Sequence, residues 1–316
     1  MALLERAIGI SLNNILWATD LSVHSEAVLP YVLSLARRYD ARLYVTHIVP
    51  HANSLPAKAN GDLFDERRRA TEDLVIRWRS LGRLHGVRHL VLVREGEAAE
   101  TLCRTIHDYD IDLIVIGTRG RTGMNKMLLG SVAQELVRRV SCPMLSIGAR
   151  CSGRIGEDTV VRNIVCATDL SPESLGAIGH ALFLAQEHQA RLTLVHVAEN
   201  ILAQTPDGKE LLIESIQRRL EELLPVGTEQ WCDLSFVVDF GVAATQILAL
   251  SEKLPADLVV LGSRRNDDFA ARLPGSTAYP VLSNALCPVL AVPARESNLA
   301  AEEVRLEIRH EGYAAD

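Results

Sequence analysis

The chain repeats itself at the scale of a whole domain. NNILWATDLS at residues 13–22 returns as RNIVCATDLS at 162–171, and ARLYVTHIV at 41–49 returns as ARLTLVHVA at 190–198, both offset by 149 positions. DLIVIGTRG at 112–120 returns as DLVVLGSRR at 257–265, and Cys142-Pro143 returns as Cys287-Pro288, both offset by 145. The copies are colinear, with four more residues in the first between His47 and Gly96. A period this long is not that of a solenoid; it marks the duplication of one folding unit. The expected organisation is a first domain over 1–149, a polar linker over 150–159, a second domain over 160–294 and a charged tail over 295–316.

Each copy alternates two kinds of segment. Ile15–Ala18, Leu43–Val49, His89–Val93, Leu113–Ile116 and Met144–Ile147 are short apolar runs rich in β-branched residues, as strands buried on both faces should be. Between them lie amphipathic stretches: one around Val28–Leu35, a long charged one over Asp65–Leu84, and shorter ones over Ala98–His107 and Gly130–Val140. Strands that alternate with helices imply an α/β fold, a parallel sheet with right-handed crossovers and helices on both faces. Twice over, that makes two tandem Rossmann-like domains.

Composition removes other classes. A hydrophobic fraction of 48% and a charged fraction of 23% exclude a disordered chain. A net charge of −7 argues against a nucleic-acid binder. The six cysteines form no C-x-x-C pair, so neither a zinc site nor a disulfide framework is expected, only buried thiols in a reducing compartment. MALLERAIGISLNN has no basic region followed by a continuous apolar core, so no secretion signal is expected and the chain is placed in the cytoplasm. Leu273–Ala294 has no charged residue, but its four prolines would break a membrane helix.

Open parallel sheets bind ligands outside the carboxyl ends of their strands, where the strand order switches direction. Three segments should meet there: Ala18-Thr19-Asp20, His47-Ile48, and the connection after Ile116. That connection holds Gly117, Gly120 and Gly130-Ser131, with Arg119, Arg121 and Lys126 nearby. Glycines let backbone amides approach an anion, and a helix N-terminus beginning at Gly130-Ser131 offers free N–H groups and partial positive charge. Ser131 could cap that helix and also donate to a phosphate. A glycine-rich connector without a ligand would have the same composition. The P-loop, the dinucleotide fingerprint, H-E-x-x-H and G-x-S-x-G are all absent from the sequence.

Gly117-x2-Gly120-x9-Gly130-Ser131 resembles the ATP-binding signature of the universal stress protein family, G-x2-G-x9-G-[ST]. The Asp after the first strand and the terminal Cys-Pro-hydrophobic strand are similar too, and the likeness covers nearly the whole chain twice. The resemblance implies open five-stranded parallel sheets of order 3-2-1-4-5, ATP as ligand, carried with magnesium, and a homodimer formed through the last strand. It assigns Ala18, Thr19 and Asp20 to the adenosine, Ile48 to adenine, Ile116 and Gly117 to ribose and phosphates, and Gly120, Gly130, Ser131 and Val132 to the triphosphate. Arg119 lies in the same loop. No metal-ligating set and no catalytic residue is assigned.

The second copy departs from the motif. Gly262, Gly275, Ser276 and Asp169 persist, but the second glycine is Arg265, and Asp267 and Asp268 bring negative charge where phosphates would lie. The first domain is therefore expected to bind ATP and the second to bind it weakly or not at all; Arg265 donating to a phosphate itself is the rival account. The uncharged stretch Ser276–Leu286 suggests a covered face, against the other domain or another chain. His47 and His196 read as packed strand-end histidines rather than a catalytic pair. Asp20 and Asp169 read as hydrogen-bond acceptors for ribose or adenine, and Trp17, Trp78 and Trp231 as structural. The resulting expectation is an ATP-binding regulatory protein of the stress response, acting on an unidentified protein partner. A slow ATPase and a nucleotide-free interaction module are the alternatives.

Overall fold

A computed structural model describes residues 10, 12–50, 63–118, 129–151, 161–171, 174–198, 206–263 and 277–294. The first half runs β1 (Asn14–Ala18), α1 (Val23–Glu26), α2 (Leu29–Arg38), β2 (Arg42–Val49), α3 (Leu63–Ser80), β3 (His89–Glu95), α4 (Ala98–Asp108), β4 (Leu113–Gly117), α5 (Ser131–Arg139) and β5 (Met144–Ile147). The second runs β6 (Asn163–Ala167), α6 (Leu175–His188), β7 (Arg191–Ala198), α7 (Pro206–Glu222), β8 (Leu234–Phe240), α8 (Ala243–Lys253), β9 (Leu258–Ser263), α9 (Ala278–Asn284) and β10 (Val289–Pro293). The long charged helix α3 stops at Ser80, earlier than its charge pattern suggests. Gly82 and Gly86 take φ of 71° and 73°, and a left-handed glycine past the last turn ends a helix.

Each half has the order 3-2-1-4-5, all parallel. The two halves are parts of one ten-stranded sheet, β3-β2-β1-β4-β5-β10-β9-β6-β7-β8. They join where β5 and β10 pair antiparallel, with Ser146 opposite Val289, Leu145 opposite Leu290 and Met144 opposite Ala291. Leu145 and Leu290 occupy equivalent positions in the two copies, so each meets its own counterpart across a local two-fold axis. The last-strand contact that the family resemblance assigns to a homodimer is thus made within the chain, and both sides of β5 and β10 are occupied.

The apolar strands explain two cores, one on each face of the sheet. One is built by α2, α3, α6 and α7 against residues such as Trp17, Leu145, Cys166 and Leu290. The other is built by α4, α5, α8 and α9 against Leu16, Ile114, Met144 and Val289. Both cross the seam. On the first face α2 and α6 meet there: Tyr39 stacks on Phe183 at 6.1 Å, and Arg38 donates to the Glu187 carbonyl. Every residue from Thr277 to Leu290 is at least partly covered within the chain, which accounts for the uncharged face of α9. Five of the six cysteines are buried and all six are free thiols. Burial pushes the Cys142 and Cys166 thiols up to about 12, away from the thiolate form.

Two carboxylates brace the halves in the same way. Asp112, just before β4, accepts the backbone N–H groups of Asn13 (2.7 Å) and Asn14 (2.9 Å). Asp257, just before β9, accepts those of Arg162 (2.8 Å) and Asn163 (3.0 Å). Each ties the start of a central strand to the strand beside it. The repeated D-L-x-V sequence is therefore a structural clamp, a role the motif pattern alone does not disclose.

Candidate functional site

The order 3-2-1-4-5 puts the switch point between β1 and β4, and a cleft of about 280 Å³ opens there at their carboxyl ends. Nine of the eleven positions expected to contact nucleotide line it: Ala18, Thr19, Asp20, Ile48, Ile116, Gly117, Gly130, Ser131 and Val132. Arg119 and Gly120 lie outside the described residues. Five further lining residues, Ser25, Thr46, Ala98, Leu102 and Ala133, carry no motif signal. Ala98 and Leu102 come from the helix after β3, whose approach to the cleft depends on tertiary packing.

The turn after β1 is built by side chains. Thr19 Oγ1 accepts the Leu21 N–H (3.1 Å) and the Ser25 hydroxyl (2.8 Å), and Asp20 Oδ1 accepts the Ser22 N–H (3.0 Å). These bonds hold Leu21 at φ 64°, a left-handed conformation costly for a branched side chain. The second copy repeats the device with Thr168, Leu170 (φ 62°) and Ser174. Comparison of the copies at an offset of 149 would have located it. His47 Nδ1 lies 2.7 Å from the Thr19 carbonyl, and His196 Nδ1 lies 3.0 Å from that of Thr168. A carbonyl only accepts, so each Nδ1 carries its proton. Both imidazoles tie the end of the second strand of their half to the turn after the first, and His47 also lines the cleft.

The turn leaves one acceptor over. Asp20 Oδ2 is buried and has no hydrogen-bond partner among the described residues. A buried carboxylate oxygen without a donor is costly, and this one belongs to a residue lining the cleft. A ligand carrying a hydrogen-bond donor would satisfy it.

The other side of the cleft supplies donors. Gly130 is the N-cap of α5, and among the described residues no side chain caps that helix. Ser131 is its first residue and exposed, so Ser131 is not the cap that the sequence suggested. The N–H groups of the first turn remain available to an anion. Gly130 N–H donates to the Thr118 carbonyl at 2.9 Å. A Cβ on Gly130 would stand 3.3 Å from that same oxygen, which explains the glycine.

A sequence profile of the universal stress protein family matches residues 11–147 and again 161–293. The chain belongs to the universal stress protein family. A universal stress protein of Mycolicibacterium smegmatis is 26% identical over 300 residues, covering 89% of this chain and 97% of that one. One from Methanocaldococcus jannaschii is 28% identical over 132 residues, 41% of this chain and 78% of its own length. The crystal structure of a universal stress protein from Archaeoglobus fulgidus superposes with a TM-score of 0.71 at 19% identity, covering 92% of this chain and 99% of that one. That likeness speaks for the fold alone.

Within this family frame the second half differs in chemistry. Asp169 is exposed, and its Oδ1 accepts both the N–H and the hydroxyl of Ser171. The equivalent Ser22 hydroxyl instead caps α1 by accepting from Ser25, which leaves the Asp20 carboxylate with less to hold. Helix α9 is seven residues long and has Pro280 as its third, so its first turn lacks a donor that α5 has. Gly262 is the half-buried residue before the last of β9. Arg265, Gly275 and Ser276 lie outside the described residues.

Proposed function

We propose that this universal stress protein is an ATP-binding regulator whose first half, about residues 1–149, holds the nucleotide, while the second, about 160–294, holds it weakly or not at all. The carrying observation is the Asp20 Oδ2, which is partnerless among the described residues, in a cleft whose far wall is the N-terminus of α5, where no described side chain forms a cap. An acceptor for the nucleoside and donors for phosphate stand on opposite sides, as an adenine nucleotide requires. In this reading Thr19 and Asp20 orient ribose, Ile48 and Ile116 flank the base and sugar, and Gly130, Ser131 and Val132 present backbone N–H groups to phosphate. Arg119 and Gly120 belong to the same loop. Magnesium would arrive on the phosphates and neutralise their charge. The regulatory effect follows if nucleotide binds two conformations with different affinity, and a stress-response role is the corresponding biology.

The test is nucleotide content. Purified protein is loaded with ATP and magnesium, freed of excess, denatured, and its released nucleotide quantified for wild type, Asp20→Ala and Gly120→Val. About one ATP per chain in wild type, lost in both variants, is the expected result. About two per chain would refute the asymmetry, and none after loading would refute nucleotide binding.

A further inference from the structure

The two ends of the ten-stranded sheet are structurally equivalent, yet their charges are opposite. From Leu74 to Arg94, the last turns of α3 through β3, there are five arginines and no aspartate or glutamate. From Leu220 to Phe240, the end of α7 through β8, there are five acidic residues and no lysine or arginine. The whole-chain charge conceals this, because the two runs cancel.

Both ends also carry what a joint between chains needs. β3 pairs with β2 and β8 with β7, and each is the outermost strand of the sheet. Neither edge is paired outward by another described strand, and an unpaired edge is a template for strand addition. Exposed apolar side chains stand beside both: Ile76, Leu81 and Leu90 at the basic end, Leu211 and Val226 at the acidic end. Part of the charge is spent within the chain, since Arg77 pairs with Glu26, Arg88 with Asp40, Arg94 with Asp108, and Asp233 with Arg191. Arg79 meets His89, and among the described residues no carboxylate forms an ion pair with Arg79 or Arg83. The same holds for cations and Glu221, Glu222 and Glu229.

We infer that the basic end of one copy docks on the acidic end of a second copy, β3 beside β8, so that chains associate head to tail. The geometry is consistent at three levels. The halves run in opposite directions, so β3 of one copy meets β8 of the next antiparallel, as β5 meets β10 inside the chain. α3 and α7 lie on the same face of the sheet, so the arginines of one come beside Glu214, Glu221 and Glu222 of the other. Like ends repel, so the charges that block β3–β3 and β8–β8 pairing favour the unlike pair. The surfaces that meet are different, so the contact is heterologous and either closes into a ring or propagates.

Sedimentation velocity on the full chain tests this, over a concentration series at about 20 mM and about 500 mM NaCl. The expected result is a mass that climbs with concentration in low salt and returns to one chain in high salt. Arg79→Glu with Arg83→Glu should weaken association at least about tenfold, as should Glu221→Arg with Glu222→Arg, because each sets like charges against one another in the contact. All four positions are exposed, and circular dichroism checks the folds. An equimolar mixture of the two double variants should recover association, since every mixed junction again sets arginines at one end against glutamates at the other. A wild type that stays one chain in low salt, or association indifferent to these reversals, would overturn the inference.

Discussion

Asp112 offers a quantitative test of how the sheet is held. Its Oδ2 accepts two backbone N–H groups at 2.7 and 2.9 Å and so fixes the first strand against the fourth. In Asp112→Ala the exposed Asn13 N–H is taken over by water, a loss of about 0.5 kcal/mol, while the half-buried Asn14 N–H is left poorly solvated, at about 1.5–2 kcal/mol. The sum is about 2–2.5 kcal/mol, a fall of roughly 1 M in urea midpoint at a slope of about 2–3 kcal/mol/M. Asp112→Asn keeps an acceptor oxygen but loses the charge, and should cost about half as much. Asp257→Ala, which breaks the equivalent bonds at 2.8 and 3.0 Å, should match Asp112→Ala to within about 0.5 kcal/mol if the clamp works as drawn. Equilibrium unfolding followed by circular dichroism reads all three. A loss below about 0.5 kcal/mol for Asp112→Ala, or equal losses for Ala and Asn, would refute the charged clamp.

Other outcomes follow from the same structure. Burial, and then the Arg38 charge, push the His188 imidazole down to about 4; the unfolded chain takes up that proton below about 6.5. Stability should therefore fall as pH drops from about 6.5 towards 4, by about 1–2 kcal/mol once solvent screening of this part-exposed ring is allowed for, and His188→Gln should flatten that window in urea titrations at stepped pH. Leu290→Ala at the seam should cost about 2–4 kcal/mol; because both cores cross the seam, hydrogen exchange should rise in β1 as well as β6. Faster exchange confined to the second half would separate the two units. Gly130→Val pushes a branched side chain against the Thr118 carbonyl and should abolish nucleotide retention while costing about 1–3 kcal/mol of stability.

Much of this architecture was legible because its strands are buried on both faces. Continuous β-branched runs such as Leu113–Ile116 admit little else, and the repeat doubled the signal at every position. The end of α3 was not legible: Leu81 and Leu84 continue the apolar rhythm, and only the backbone of Gly82 breaks it. The turn after β1 could be seen as ATDLS, yet the left-handed Leu21 depends on hydroxyl bonds from Thr19 and Ser25 that no spacing rule encodes. The cleft was legible in nine positions through the family resemblance, to which the glycine motif contributes Gly117, Gly130 and Ser131, and illegible in Ala98 and Leu102, which reach it by packing. The joining of two sheets into one escaped the sequence because strand periodicity within a half says nothing about which edge meets which. The opposed end charges escaped because five arginines at one end and five acidic residues at the other cancel in the net charge.

Leu145 facing Leu290 has a consequence for how such a molecule can change over time. Were the halves separate chains, their pairing would depend on protein concentration, and a single gene would force both members to be alike. Joined through a short linker, they meet at an effective concentration in the millimolar range whatever the abundance of the protein. Neither half then needs to remain a copy of the other, provided the edge strands still fit. One can lose its loop glycine and gain acidic residues while its twin keeps the full glycine motif, and the outer edges can drift to opposite charge. The joined edge is what permits a molecule with two unlike faces to descend from one repeated unit.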